Sequence, residues 1–138
     1  MIAAHDDLVM DEVMTPNPAS IDINAPIEMA RELMQRLGIR YLPVTANSLV
    51  ESLVNEQDLE RHYLDLRARD ISKGLKLKDV CTRKVRTADV NDPLGKILKI
   101  MTHDHIDALI LLREGKMAGI FTESDACRIL AKHLGYNL

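Results

Sequence analysis

No tryptophan occurs in these 138 residues, and the aromatic complement stops at one phenylalanine and three tyrosines. An interior built from this chain is therefore aliphatic, with seven methionines as flexible fill. Cysteine is nearly missing too. Cys81 and Cys127 stand alone, neither in a C-x-x-C pair, and no apolar run approaches the ~18 residues that span a bilayer. The opening Met1-Ile2-Ala3-Ala4-His5-Asp6-Asp7 lacks the basic stretch and apolar core of a secretory leader, so a cytosolic protein with both thiols reduced is expected. Positive charge is not in excess. Eighteen Lys and Arg against 21 Asp and Glu leave a net charge of -3, which gives no global drive toward nucleic acid. No Ser-His-Asp order, paired-acid constellation or Walker loop is present, and the isolated serines lack a nucleophile-elbow setting, so no intrinsic enzyme is expected.

What the chain does have is itself, twice. Sliding the sequence 67 positions lays residues 13–61 onto 80–128 without a gap. Identical pairs in that register include Val13/Val80, Thr15/Thr82, Asp22/Asp89, Asn24/Asn91, Pro26/Pro93, Met34/Met101, Leu42/Leu109, Glu56/Glu123, Asp58/Asp125 and Arg61/Arg128. Such a repeat means two copies of one supersecondary unit, each too small to bury its apolar face alone. One compact domain with a pseudo-twofold axis and a ligand-sized cleft between the copies is the expectation.

Each copy reads as strand, helix, strand, strand, helix. In the first, Ala19-Ser20-Ile21 is extended, and Asn24-Ala25-Pro26 starts a helix with Asn24 as N-cap. Ile27, Ala30, Leu33, Met34 and Leu37 follow a 3.6-residue period to a C-cap at Gly38. Ile39–Val44 is a strand, Ala46-Asn47-Ser48 a turn, Leu49–Val54 its partner strand, and Asn55–Leu66 a helix. In the second, Asn91-Asp92-Pro93 caps a helix carrying Leu94, Ile97, Leu98 and Met101. Ile106–Leu112 and Met117–Phe121 flank a hairpin turn at Arg113–Lys116, and Thr122 begins the last helix. A helical turn or two is expected at residues 7–13, and the charged segment Arg67–Leu77 is expected to cross the surface. The class is α+β, small mixed sheets covered by helices.

Val13-Met14-Thr15, Ser20-Ile21, Ile39–Val44 and the strand leading to Asp58 resemble a CBS domain. Val80-Cys81-Thr82, Thr87, Leu109 and Gly119-Ile120-Phe121-Thr122-Glu123-Ser124-Asp125 resemble a second. The likeness covers residues 8–134 and implies a tandem pair, a Bateman module: residues 8–64 as repeat 1, 65–77 as linker, 78–134 as repeat 2. By that resemblance the chain is a regulatory sensor of an adenosine-containing ligand (AMP, ADP, ATP or S-adenosylmethionine), with no required cofactor. It is expected to associate as a homodimer and to act on a regulated protein.

The strand-to-helix junction Gly119–Asp125 is the sharpest local signal. Backbone N–H groups and the positive end of the helix dipole point there at one spot, which suits phosphate or sugar oxygens. Asp125 is placed to accept from a ribose diol, and Thr122 and Ser124 can donate to phosphate. The same residues also have the form of a helix capping box, which needs no ligand. The resemblance implies contacts from Ile120, Thr122, Ser124 and Asp125 with Ser20, Ala25, Ile39 and Arg40 of the other copy. A weaker mirror site combines Asn55, Gln57 and Asp58 with Thr87, Asp92 and Ile106. There Ser52 replaces the glycine matching Gly119, and Asn55 and Gln57 replace hydroxyl residues, so the Asp125 site is expected to be preferred. Arg40 in copy 1 is matched by Asp107 in copy 2. Like charges ~4 Å apart at an effective dielectric of ~20 cost about 4 kcal/mol, which favours AMP or a cationic adenosyl compound over a triphosphate.

His103-Asp104-His105 invites a metal reading, but no third ligand stands at a recognisable spacing, and a solvated helix end is expected. Cys81 reads as a small apolar filler in the place of Met14. The basic residues between Arg67 and Lys84 read as a solvated linker, with docking of an acidic partner or nucleic acid as the alternative. Two rivals to the sensor stand: a ligand-free structural interaction module, and nucleic-acid binding through that linker.

Overall fold

The computed structural model describes residues 8–68, 74–81 and 84–137. In chain order the elements are α1 (Met10–Val13), β1 (Thr15–Pro16), β2 (Ile21–Asp22), α2 (Ile27–Leu37), β3 (Tyr41–Ala46), β4 (Leu49–Asn55) and α3 (Glu56–Ala68). A 3-10 turn at Leu77–Asp79 follows, then β5 (Thr87–Asp89), α4 (Leu94–Asp104), β6 (Ala108–Arg113), β7 (Lys116–Thr122) and α5 (Glu123–His133). The α+β class with two small mixed sheets and covering helices is as the sequence implies. The chain divides into two compact units, one drawn from Met1–Pro18 and Arg86–Leu138, the other from Ala19–Val85.

In the Ala19–Val85 unit, β2 pairs parallel with β3, and β3 pairs antiparallel with β4. In the other unit β5, β6 and β7 repeat that arrangement, and β1 adds a fourth strand antiparallel to β7. The registers are copies. Leu42 faces Val54 and Leu109 faces Phe121, and each hairpin bulges at the same place, after Val44 and after Leu111. Both hairpins turn through two residues of positive φ, Asn47-Ser48 and Glu114-Gly115, the backbone that matches strand twist in a two-residue loop.

Sequence repeat and compact unit are out of phase. Met10 N–H donates to the Asp92 carbonyl, Asp11 N–H to Val90, and Leu94 N–H to Leu8. Sixty-seven positions on, Leu77 N–H donates to Ala25, Lys78 N–H to Ile23, and Ile27 N–H to Leu75. Met10 and Leu77 are each fully buried in these positions. Met10 joins Val90, Leu94, Ile97, Met101, Leu109, Leu111 and Phe121 in one core. Leu77 joins Ile21, Ile27, Ala30, Met34, Leu42, Val44 and Leu59 in the other. The expected surface path of Arg67–Leu77 is thus corrected at its end, where Leu77 is buried and Leu75 packs half-buried against the same core; residues 69–73 lie outside the described residues. Burying a leucine is worth about 2 kcal/mol, enough to dock a short charged segment.

The helix starts also differ from expectation. Asn24 caps nothing. The Asp22 carboxylate accepts its N–H at 2.8 Å, the Asp22 carbonyl accepts from Ala25, and α2 begins one residue after Pro26, which is extended at φ -63°, ψ 147°. Asp89, Asn91 and Pro93 repeat this ahead of α4. The carboxylate closes a local turn on the asparagine's own N–H, and the first N–H of each helix is met instead by a backbone carbonyl, Ile27 by Leu75 and Leu94 by Leu8. Gly38 ends α2 at φ 65° as expected, but His105 holds the matching left-handed position at φ 55° in α4.

Candidate functional site

Both units carry a strand that runs without a break into a helix: β4 into α3 at Asn55-Glu56, and β7 into α5 at Thr122-Glu123. The preceding strand braces each junction, since Glu56 N–H donates to the Arg40 carbonyl and Glu123 N–H to Asp107. Arg40 and Asp107, the oppositely charged pair in the repeat register, therefore occupy the same place in their respective units. Both residues make further interactions within the protein.

At the second junction, Asp125 is 7% exposed. Its Oδ2 accepts from the Thr122 backbone N–H at 2.9 Å and from the Thr122 hydroxyl at 3.1 Å. Its Oδ1 accepts from Arg128 Nη1 at 2.9 Å and from the Thr15 hydroxyl at 3.3 Å. The Thr122 oxygen in turn accepts the Asp125 N–H at 3.3 Å, completing a capping box. Four donors occupy about the full complement of lone pairs that an ionised carboxylate offers. Thr122, expected as a phosphate donor, spends its one hydroxyl proton on Asp125. Ile120 is buried on β7, and Ser124 is exposed on the first turn of α5.

Gly119 sits beneath this junction for a steric reason. A Cβ there would lie 2.8 Å from Met14 Cγ, closer still to Met14 Sδ, and 2.9 Å from the Thr15 carbonyl oxygen. The thioether of Met14 thus lies across the glycine, while β1 presses its backbone against β7.

The first junction is built differently. Asp58 pairs with Arg61 one turn along α3, and its side chain is 52% exposed. Asn55 Oδ1 accepts the Gln57 N–H at 2.7 Å and supplies the local cap that Thr122 supplies in the other unit. Beside them opens a cavity of about 200 Å³, lined chiefly by Ser52, Asn55, Asp58, His62, Val80 and Cys81. At about 30 Å³ of liquid per water it has the capacity of six or seven waters, enough for a sugar ring. Burial pushes the Cys81 thiol up from its ordinary pKa, against a hydrogen bond with Ser52 that lowers it, so the thiol stays protonated at neutral pH. Cys81 is thus not simple filler: it forms part of a cavity wall. Sequence reasoning missed both this wall and the packing of Met14; the signal was the paired exchange Met14/Cys81 with Gly119/Ser52, a long side chain over glycine against a short one over serine.

Of the remaining expected residues, Ser20, Ala25, Ile39, Arg40, Asn55, Gln57 and Asp58 belong to the Ala19–Val85 unit. Thr87, Asp92, Ile106, Ile120, Thr122, Ser124 and Asp125 belong to the other. Each expected set therefore draws on both units. Asp92 is engaged locally, accepting from the Asp89 N–H at 3.0 Å and pairing with Lys96 at 3.3 Å. At the end of α4, Asp104 pairs with Arg86 and His103, and both partners hold its carboxyl below the usual range, His103 first. His105 serves as the left-handed C-cap. Among the described residues no group of three His, Cys, Asp or Glu side chains is arranged to hold a metal ion. Nor is any described helix long and apolar enough to cross a membrane.

A family model described as CBS domain matches this sequence twice, at residues 9–65 and 77–132. The chain belongs to the CBS domain family. A relative, the inosine-5'-monophosphate dehydrogenase of Thermoplasma acidophilum, is 28% identical over 125 residues, covering 90% of this chain and 23% of the enzyme. The chain spans less than half the length of the curated relatives it matches. Among solved structures, the CBS domain pair of MJ0100 in complex with 5'-methylthioadenosine and S-adenosyl-L-methionine superposes with a TM-score of 0.77 at 17% identity, covering 91% of this chain and 98% of that one. CBSX2 in complex with AMP superposes with a TM-score of 0.75 at 20% identity and the same coverage. At these identities the two structures establish the fold.

Proposed function

We propose that this CBS pair is a regulatory module that binds an adenosine-containing ligand, AMP-like or S-adenosylmethionine-like, and performs no catalysis of its own. The observation that carries the reading is the strand-to-helix junction repeated in both units, each with an aspartate on the first helical turn, one of them bordering a cavity of ring size. Backbone donors at a helix start with an acceptor carboxylate beside them suit a ribose and its phosphate or sulfonium substituent. Complexes of structurally similar CBS proteins with AMP and with S-adenosyl-L-methionine support the ligand class. The contact residues on this reading are Ser20, Ala25, Ile39, Arg40, Ile120, Thr122, Ser124 and Asp125, with Asn55, Gln57, Asp58, Thr87, Asp92 and Ile106. The module works as a cytoplasmic homodimer acting on a partner protein, and ligand shifts its populations only as far as affinity differs between arrangements.

A ligand-free interaction module is the alternative. The apolar side chains left exposed at the end of α5 and just beyond it, Leu130, Leu134 and Tyr136, favour it. Thermal unfolding against AMP, ADP, ATP and S-adenosylmethionine separates the two. A bound ligand at 100 times its dissociation constant adds about 2.7 kcal/mol of stability. A flat response to all four eliminates the sensor.

A further inference from the structure

The two units are closed in the same manner but from different places in the chain. Ahead of α4 the backbone of Val90, Asp92 and Leu94 forms a slot, and ahead of α2 the backbone of Ile23, Ala25 and Ile27 forms its counterpart. Residues 8–11 fill the first slot and residues 75–78 the second, through the same hydrogen bonds, with Met10 or Leu77 as the fully buried plug. The filler of the Ala19–Val85 unit follows α3 within that unit's own stretch of chain. The filler of the other unit lies upstream, with the whole of residues 19–85 between it and Arg86. That upstream segment also reaches further. Beyond α1, β1 pairs with β7, and Asn17 N–H donates to the Ala118 carbonyl at 3.0 Å. In a sheet ordered β1-β7-β6-β5, residues 8–17 thus run from the turn after β5 to the opposite edge. One contact distinguishes the two fillers. Asp11 accepts from Arg113, at the end of β6, through both carboxylate oxygens, at 2.6 and 3.2 Å. In the repeat register Asp11 is matched by Lys78 and Arg113 by Ala46, two residues that form no ion pair.

We propose that residues 8–17 are a releasable strap, latched by Asp11 on Arg113, on which the fold of residues 86–138 depends. The Ala19–Val85 unit carries its own closure and folds without the strap. Drawing the strap off withdraws Met10 from the core of its unit and leaves the edge of β7 unpaired. The other unit loses nothing, so the event is a partial opening of the molecule, confined to one unit. The strap is joined to its slot only through the intervening unit, and local concentration keeps it docked; a cut after Pro18 turns docking into a bimolecular equilibrium. Asp11 gives the latch its selectivity, because Lys78 in the same slot would set a like charge against Arg113. This device stands apart from the adenosyl reading and operates whether or not either unit holds a ligand.

The test places a protease recognition sequence between Pro18 and Ala19 of the full chain and cuts it in the folded protein. Amide hydrogen exchange, read by mass spectrometry, then follows the two units separately. Once dilution has removed the freed fragment, exchange over β5, α4, β6 and β7 is expected to be at least about tenfold faster, as loss of a buried methionine implies. Exchange over β2, α2, β3 and β4 is expected to stay unchanged. Excess synthetic peptide of residues 1–18 restores slow exchange. In the uncut chain, Asp11→Lys sets like charges together at an exposed place and speeds exchange over α4 about fivefold; adding Arg113→Asp reverses the effect. If the cut chain precipitates, this charge exchange decides alone. A fragment that never leaves, equal loss of protection in both units, or no response to Asp11→Lys overturns the proposal.

Discussion

Replacing Asp125 and Asp58 by alanine, one at a time and without ligand, tests whether the two repeat-related carboxylates do the same work. Asp125→Ala removes the acceptor for the Thr122 N–H, a helix-cap contact worth about 1 kcal/mol. It leaves the Thr15 hydroxyl without its acceptor in a part-buried place, costing about another 1 kcal/mol. It breaks the pair with Arg128, whose side chain is 59% exposed, so that contribution is held to at most about 0.5 kcal/mol. The sum is about 2–2.5 kcal/mol. Asp58→Ala breaks an ion pair whose partners are 52% and 72% exposed, and Asn55 supplies the local cap instead, so the expected loss is below about 1 kcal/mol. Urea unfolding followed by far-UV circular dichroism reads both, with m unchanged from wild type as the sign that only stability has moved. Equal losses in the two variants refute the account of Asp125 as a structural cap. The contrast also bears on interpretation: a ligand-binding defect in Asp125→Ala is confounded by lost stability, and one in Asp58→Ala is not.

Gly119→Ala forces a Cβ against Met14 and the Thr15 carbonyl; a loss of about 2–3 kcal/mol is expected in urea unfolding, and only in part restored by adding Met14→Ala, because the carbonyl stays. Leu77→Ala opens a hole in the core of the Ala19–Val85 unit and costs about 2–4 kcal/mol by the same assay, where a surface linker predicts less than about 0.5. His105→Gly relieves a left-handed residue at φ 55° and stabilises by up to about 1 kcal/mol. Arg31 donates both to Glu60, at 2.6 and 2.9 Å, and lies over the Tyr63 ring. That hydrogen-bonded guanidinium holds the Glu60 carboxyl below its ordinary value. The folded pKa is the lower one, so the pair stabilises above about pH 4.3, the unfolded value, and fades as pH falls through the folded one; Glu60→Gln should lower the melting temperature at pH 6 and converge on wild type by pH 3.

The α+β class, nearly every strand and helix, and both hairpin turns could be read from the sequence, because hydrophobic period and turn residues are local signals. What escaped it was non-local. β1 is two residues long and exists only through pairing with β7, more than 100 positions away, and no period can show in two residues. Leu75 and Leu77 sit among lysines and look like linker until the Leu77 N–H is seen to donate to the Ala25 carbonyl and the Leu75 carbonyl to accept from Ile27. The aspartates at 22 and 89 are an identical pair in the sequence, but an N-cap is the commoner role for a polar residue near a helix start, and the asparagines two residues on stand nearer to it. For the site, residue types and chain positions were visible, but occupancy of space was not. That Met14 reaches Gly119 depends on a strand pairing the sequence did not disclose.

The identical pairs of the repeat divide by what they do. Asp22/Asp89, Pro26/Pro93, Met34/Met101 and Leu42/Leu109 hold turns and cores, and the structure uses each pair in the same way twice. Around the two junctions the pairs diverge instead: Met14/Cys81, Ser52/Gly119, Asn55/Thr122, Leu59/Ala126 and His62/Ile129. Thr15/Thr82, Glu56/Glu123, Asp58/Asp125 and Arg61/Arg128 are identical within that set, and the caps beside the two aspartates differ. With Thr122 donating twice to it, the second aspartate completes the capping box of its own unit. With asparagine taking the cap, a thiol in place of a thioether, and half its side chain exposed, the first pairs with Arg61 beside a cavity. Identity of residue does not carry identity of role between the copies, because what a carboxylate can accept from outside is set by how many donors the chain has already aimed at it.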